Sequence, residues 1–87
     1  MKPVLKFVLA ACPHCRRSER LEKELIELHP EYASVEIEVV DEGEQPARAD
    51  KYDYYKVPCY FVGEEKISEG VPSLRGVEAV FKAALSD

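Results

Sequence analysis

The sequence predicts an α/β domain with a mixed four-stranded sheet, because apolar runs of strand length alternate with stretches of helical periodicity. Residues 4–9 form an almost continuous apolar run broken only by Lys6, as expected for a central strand covered on both faces. In the next stretch, residues 16–28, leucines recur at i, i+4 and i+7 opposite a charged face, which predicts a helix that packs on one side. Shorter patterns of both kinds follow, and the expected element order is β-α-β-α-β-β-α.

The middle of the chain predicts an edge strand and a short helix. Apolar side chains alternate with glutamates after the first helix, which is typical of a strand with one solvated face. The inward side chains expected from this strand are Val35, Ile37 and Val39. A polar turn then leads to Pro46, which opens a second helix over residues 46–54. The side chains expected to face inward from that helix are Ala49, Tyr52 and Tyr55.

The C-terminal part predicts a β-hairpin and a last helix. Residues 60–62 and 66–69 are the two strands, and the turn between them contains Gly63. Ser73 can cap the last helix. Its expected inward face carries Leu74, Val77, Phe81 and Ala84, with Val80 and Leu85 beside it. Since a strand, helix and strand of this length connect by a right-handed crossover, the first two strands should be parallel neighbours. The hairpin should then lie antiparallel on the other side of the first strand, with helices on both faces of the sheet.

Composition and charge restrict the class of protein. The 87 residues are enough for one domain, residues 1–87, and a net charge of −5 argues against a general nucleic-acid binder. No apolar stretch approaches the roughly 20 residues that span a bilayer, and no cleavable leader is apparent before the first strand. Three cysteines are an odd number, whereas a small secreted scaffold usually carries an even set. We therefore expect a cytoplasmic protein, a monomer without membrane or nucleic-acid partners.

The motif Cys12-Pro13-His14-Cys15 lies where the first strand should give way to the first helix. Pro13 suits the first turn of a helix, because its missing N–H would have no acceptor within the helix. Cys12 then becomes the N-cap, facing free N–H groups and the positive end of the helix dipole. Both effects favour a thiolate, so the spacing predicts a nucleophilic sulfur beside a second sulfur that can resolve it. The alternatives are a structural disulfide and two buried apolar thiols.

These two cysteines after an apolar strand, with Val57-Pro58 opening a hairpin about forty residues later, resemble the thioredoxin superfamily, and the compact element order is most similar to glutaredoxins. The resemblance implies a thioredoxin-like fold for the whole chain. It also implies that Cys12 is the attacking cysteine, that Cys15 is the resolving cysteine and that Pro58 is a cis-proline. The backbone of Val57 would pair with an extended substrate peptide or with glutathione.

The chain departs from the glutaredoxin pattern in ways that bear on the partner. Ala10 and Ala11 precede Cys12, where glutaredoxins have a lysine nearby, and a single glycine, Gly70, stands where they have a Gly-Gly pair. Part of the charge that would hold glutathione's carboxylates is thus missing. His14 resembles the histidine of strongly oxidising bacterial disulfide-forming enzymes. When protonated, this histidine would stabilise the reduced form and make the disulfide more oxidising.

The resulting prediction is a thiol-disulfide oxidoreductase that exchanges disulfides with a protein or a small thiol. No cofactor is expected to be bound, so electrons must come from glutathione or from a donor similar to thioredoxin reductase. A second hypothesis makes Cys12, Cys15 and Cys59 ligands of a metal ion or an iron-sulfur cluster, with His14 as a fourth. A third makes the chain a partner subunit of a larger electron-transfer system. For Cys59 we favour a small buried apolar side chain, and one of Tyr54 and Tyr55 is a candidate to border the groove.

Overall fold

The computed structural model describes residues 1–86, in which four strands and three α-helices follow the predicted order. The strands are β1 (Val4–Val8), β2 (Ile37–Asp41), β3 (Cys59–Val62) and β4 (Glu65–Glu69). The α-helices are α1 (Pro13–Leu28), α2 (Pro46–Ala49) and α3 (Leu74–Leu85), and a 3-10 helix over Pro30–Ser34 follows α1. None of the helices within residues 1–86 combines the length and the apolar character needed to cross a membrane.

The sheet has the strand order β2-β1-β3-β4, which confirms the predicted arrangement. β1 is parallel to β2 and antiparallel to β3, and β3 and β4 form the hairpin. Phe7 pairs with Cys59 across β1 and β3. Because this pair is the last of its ladder, the residue before β3, Pro58, lies at the end of the sheet where β1 leads into the Cys12 turn.

Apolar clusters lie on both faces of the sheet. On one face, α1 and α3 pack against side chains of β1 and β3. Leu25, Val77 and Phe81 are almost fully buried there. On the other face, α2 and the chain after it cover Phe7 and Phe61. Full burial of a large apolar side chain contributes about 1.5–3 kcal/mol, so these two clusters supply much of the driving force for folding.

The inward face of β2 differs from the prediction at Val39. β2 begins at Ile37, so Val35 lies before the strand in which it was predicted, although its side chain is buried as expected. Ile37 is partly buried, but Val39 is 56% exposed while Val40 is fully buried. Val39 does share a face with Ile37, since side chains alternate along a strand. It lies beside a cavity next to α1, so no helix covers it, whereas Val40 packs with Phe7 on the opposite face.

Two further expectations about inward side chains are wrong. α2 ends at Ala49 instead of continuing through residue 54, and Tyr55 is 86% exposed in the loop that follows. Ala49 and Tyr52 do face the core, because the chain still passes over Phe7 after it leaves the helix. Leu74 is 39% exposed, since it is the first residue of α3 and precedes the turns that contact the sheet.

A charged side chain lies in the middle of the central strand. The side chain of Lys6 is only 1% exposed, and its Nζ lies 2.6 Å from Oε2 of Glu22 on α1. The same carboxylate oxygen accepts a hydrogen bond from the hydroxyl of Tyr60 on β3. Since an unpaired buried charge costs several kcal/mol, Glu22 is what allows a lysine in β1.

Replacing Glu22 should therefore destabilise the protein. We expect Glu22→Ala to lower the free energy of unfolding by about 3 kcal/mol, because it leaves Lys6 without a counter-charge. Glu19→Ala is the matched control: Glu19 is exposed one turn earlier on α1, and its loss should change stability by less than about 0.5 kcal/mol. Urea denaturation of both variants measures the difference, and equal effects would contradict the assigned role.

Candidate functional site

The site is built at the junction of β1 and α1. β1 ends at Val8, and the chain turns through Ala11, whose φ of 56° is left-handed. This conformation costs an alanine of order 1–2 kcal/mol. The turn delivers Cys12 to the N-cap of α1, as predicted, with Pro13 as the first helical residue. The Cys12 sulfur accepts a hydrogen bond from the backbone N–H of Cys15 at 3.1 Å.

Cys12 and Cys15 form a disulfide, with their Cα atoms 5.2 Å apart. The two sulfurs differ in environment. Cys12 is partly exposed at the helix end, whereas Cys15 is buried inside the first turn. Cys12 is therefore accessible from solvent, whereas Cys15 is shielded by the surrounding protein.

A cavity of about 280 Å³ opens beside this disulfide, between the start of α1 and the β1–β2 edge of the sheet. Both cysteines line it, together with apolar side chains at its rim and the Lys6–Glu22 ion pair. The remaining lining residues are Val8, Leu9, Ala10, Ala11, Arg16, Glu19 and Val39. The disulfide thus borders a cavity that is lined by both charged and apolar side chains.

His14 and Arg16 occupy the exposed side of the first turn of α1. His14 is the second helical residue, directly after Pro13, and Arg16 reaches the cavity. The structure therefore places two basic side chains in the turn that carries the sulfurs. The tuning role predicted for His14 stays a prediction.

Val57 and Pro58 lie at the end of the sheet where β1 leads into the Cys12 turn. The peptide bond between them is cis, which confirms the expectation from the resemblance. Val57 is half-buried against the Phe7 cluster, and Pro58 is buried. The chain before them is tied to β4, because Glu69 accepts the backbone N–H groups of Tyr55 and Lys56.

Cys59 is a free thiol outside the Cys12–Cys15 disulfide. It is fully buried in the cluster with Phe7 and Phe61, on the sheet face that α2 covers. Burial raises the pKa of the Cys59 thiol to about 12, and the neighbouring Glu69 carboxylate adds to the rise. Within residues 1–86, His, Cys, Asp and Glu side chains form no group of three placed to hold a metal ion. Cys59 therefore takes the buried apolar role, and this arrangement does not assemble the three-thiol site.

Three residues of the site were missed by sequence reasoning. In the sequence Lys6 is only an interruption of the apolar run, although a lysine in a central strand requires a buried counter-charge. Glu22 could not be singled out among the glutamates of α1 from spacing alone. The sequence pattern predicts that Glu69 lies in a strand but indicates no partner for its carboxylate. Its partners lie in a loop whose path the sequence does not determine.

Comparisons with known proteins support the fold and leave the activity open. No protein-family model matches the chain, and no curated protein matches it. Among solved structures, the chain is similar to one described as "Structure of a malarial protein", with a TM-score of 0.65 and 17% identity. The match covers 95% of this chain and 96% of that chain. At this identity the similarity shows a shared fold alone.

The geometry around Glu69 predicts a pH dependence of stability. A hydrogen bond from Lys66, followed by the two backbone N–H groups, lowers the pKa of the Glu69 carboxyl from 4.5 to about 2. A lowered pKa means that the folded state favours the carboxylate. The contribution of Glu69 to stability is therefore complete above about pH 4.5 and is lost as the pH falls toward 2.

We expect wild type to be more stable than Glu69→Gln at pH 7, and we expect this difference in stability to decrease as the pH falls from 4.5 to 2. Glu65→Gln is the control, because Glu65 is exposed on the same strand. Thermal unfolding across this pH range measures both differences. A difference for Glu69→Gln that stays constant with pH would contradict the assigned contacts.

Proposed function

We propose that this chain is a thiol-disulfide oxidoreductase of the thioredoxin superfamily, similar to glutaredoxins. One observation carries the proposal: the Cys12–Cys15 disulfide closes the first turn of α1, with the Cys12 sulfur as the N-cap. A purely structural disulfide does not require this position. At a helix N-terminus, backbone N–H groups and the helix dipole stabilise a thiolate, which is the reactive form of cysteine.

The different exposure of the two sulfurs assigns their roles. Cys12 is the nucleophile, because it is open to solvent and lies where a thiolate is stabilised. Cys15 is the resolving cysteine, since it is buried behind Cys12 and close enough to bond to it. The sequence-based assignment of both residues has this geometric support.

The reaction transfers two electrons from the protein dithiol to a substrate disulfide. The Cys12 thiolate attacks one substrate sulfur, and the other substrate sulfur leaves as a thiolate that takes up a proton. Cys15 then loses its proton and attacks the Cys12 sulfur in the mixed disulfide. The second substrate thiol departs, and the Cys12–Cys15 disulfide closes.

An external donor must restore the dithiol. Two molecules of glutathione, which leave as glutathione disulfide, or a donor similar to thioredoxin reductase can supply the two electrons, and a reducing compartment such as the cytoplasm suits either one. The N-terminus of α3 bears on the binding of glutathione, because the Ser73 hydroxyl already accepts the N–H of Gly76 at 3.0 Å. This internal cap leaves fewer free backbone donors there for a glutathione carboxylate. His14 would tune the direction of the reaction.

Substitution of the two cysteines tests the proposal. We expect Cys12→Ser to reduce the turnover of hydroxyethyl disulfide, with dithiothreitol as the electron donor, at least 100-fold, because a serine hydroxyl is not ionised near neutral pH. Cys15→Ser that has been reduced, freed of dithiothreitol and then mixed with hydroxyethyl disulfide should instead accumulate a mixed disulfide on Cys12. Intact-protein mass spectrometry after acid quenching detects that adduct.

The third thiol provides the control. Since the raised pKa of Cys59 keeps its thiol protonated at pH 7, Cys59→Ala should retain turnover, and iodoacetamide should label Cys12 of the reduced protein and leave Cys59 unlabelled. Turnover that survives in Cys12→Ser would rule out the proposed mechanism.

A further inference from the structure

The loop before Pro58 is held by a single carboxylate. One oxygen of Glu69, Oε2, accepts the N–H of Tyr55 and, at 2.9 Å, the N–H of Lys56. Its other oxygen, Oε1, lies 2.9 Å from Nζ of Lys66. Both oxygens of a side chain at the end of β4 are thus occupied, and the backbone of residues 55–56 is fixed to the hairpin.

Gly70 adds a hydrogen bond between the same two segments. Its N–H donates a hydrogen bond to the carbonyl oxygen of Pro58 at 3.0 Å. Its φ of +84° is a conformation that favours glycine, and a Cβ at this position would lie 3.4 Å from Cδ of Lys56. The backbone on both sides of Val57 is therefore tied to β4 and the residue after it.

Tyr55 stands out on this fixed backbone. Its side chain is 86% exposed, whereas the rings of Tyr52 and Tyr54 pack on Phe7 with centroid distances of 5.0 and 4.7 Å. Val71, the residue after Gly70, is 70% exposed. A large apolar side chain on an already ordered backbone can be buried by a partner with little further loss of entropy.

These exposed side chains belong to loops at the same end of the sheet as the proposed exchange site. The β1–β3 register places Pro58 at the same end of the sheet as the turn that delivers Cys12. Tyr55 lies three residues before Pro58, and Val71 lies two residues after Glu69. A substrate segment that runs along Val57 would therefore meet them, while a small disulfide bound at Cys12 would not extend so far.

We propose that Tyr55, together with Val71, contacts an apolar side chain flanking the disulfide of a protein substrate, and that Glu69 is the positioning residue that holds Tyr55 for this contact. The inference rests on the proposed function and names its substrate class: protein disulfides in an extended, apolar segment. The exchange reaction itself takes place at Cys12 and Cys15, and Tyr55 takes no part in the transfer of electrons.

Paired substrates test the assignment of Tyr55. With dithiothreitol as the donor, we expect Tyr55→Ser to lower kcat/KM for insulin about tenfold, while the rate with hydroxyethyl disulfide changes less than about twofold. Leu28→Ser is the matched control. Leu28 is 61% exposed at the far end of α1, roughly 24 Å along the helix from Cys12, so its loss should affect neither substrate.

Glu69 is tested by readouts that a general loss of stability would not reproduce. We expect Glu69→Ala to raise KM for insulin several-fold without a change in kcat, and to speed hydrogen exchange at the amides of Tyr55 and Lys56. Glu69→Gln keeps an acceptor oxygen and should fall between Glu69→Ala and wild type. Glu65→Ala should behave as wild type. The alkylation rate of reduced Cys12 should be the same in all of these proteins.

The outcomes separate the two proposals. If Tyr55→Ser slows insulin and hydroxyethyl disulfide equally, or slows neither, the assignment of Tyr55 is overturned although the oxidoreductase remains. Unchanged amide exchange in Glu69→Ala would overturn the positioning role. If wild type reduces neither substrate, the proposed function itself fails.

Discussion

The hydrogen bond from the Cys15 N–H to the Cys12 sulfur is the contact on which the site depends. A helix begins with N–H groups that lack partners inside the helix, and a side-chain acceptor at the N-cap contributes about 1 kcal/mol. Here that acceptor is the sulfur itself. The contact that begins α1 therefore also places Cys12 in the positive field of the helix, and the left-handed turn at Ala11 makes this position reachable from β1.

Two carboxylates fix α1 and the loop before Pro58 to the sheet. Glu22 connects α1 to the sheet through Lys6 and Tyr60. The helix that carries the cysteines is therefore fixed to the sheet at a point beyond its first turn. Glu69 ties the loop before Pro58 to the hairpin. Each carboxylate satisfies several donors at once, which makes its position more specific than an apolar contact would. The helix that carries the cysteines and the loop before Pro58 are thus fixed by separate sets of contacts.

Much of the fold follows from local patterns in the sequence. The strand order, the N-caps at Cys12 and Ser73 and the burial of Cys59 could be predicted, because they depend on periodicity, capping chemistry and crossover handedness. The errors concern Val39, Leu74 and Tyr55, where the pattern predicts an apolar face but not whether another element covers it.

The missed parts of the site have a common physical reason. Lys6 with Glu22, and Glu69 with the loop at Tyr55, are pairs separated by 16 and 14 positions along the chain. Such pairs depend on how two elements pack, and many glutamates in this sequence would satisfy the same local pattern. Charge alone therefore indicates that a partner is needed without saying which residue supplies it.

The measurement that tests the central claim most directly is a redox titration of Cys12 and Cys15. The protein is equilibrated without oxygen in graded dithiol and disulfide buffers, and each cysteine is followed by alkylation and mass spectrometry. We expect one reversible two-electron transition confined to Cys12 and Cys15, at a potential between about −270 mV and about −120 mV. The first value would mark a reductase and the second an oxidant. A pair that shows no reversible transition in any buffer would contradict the account.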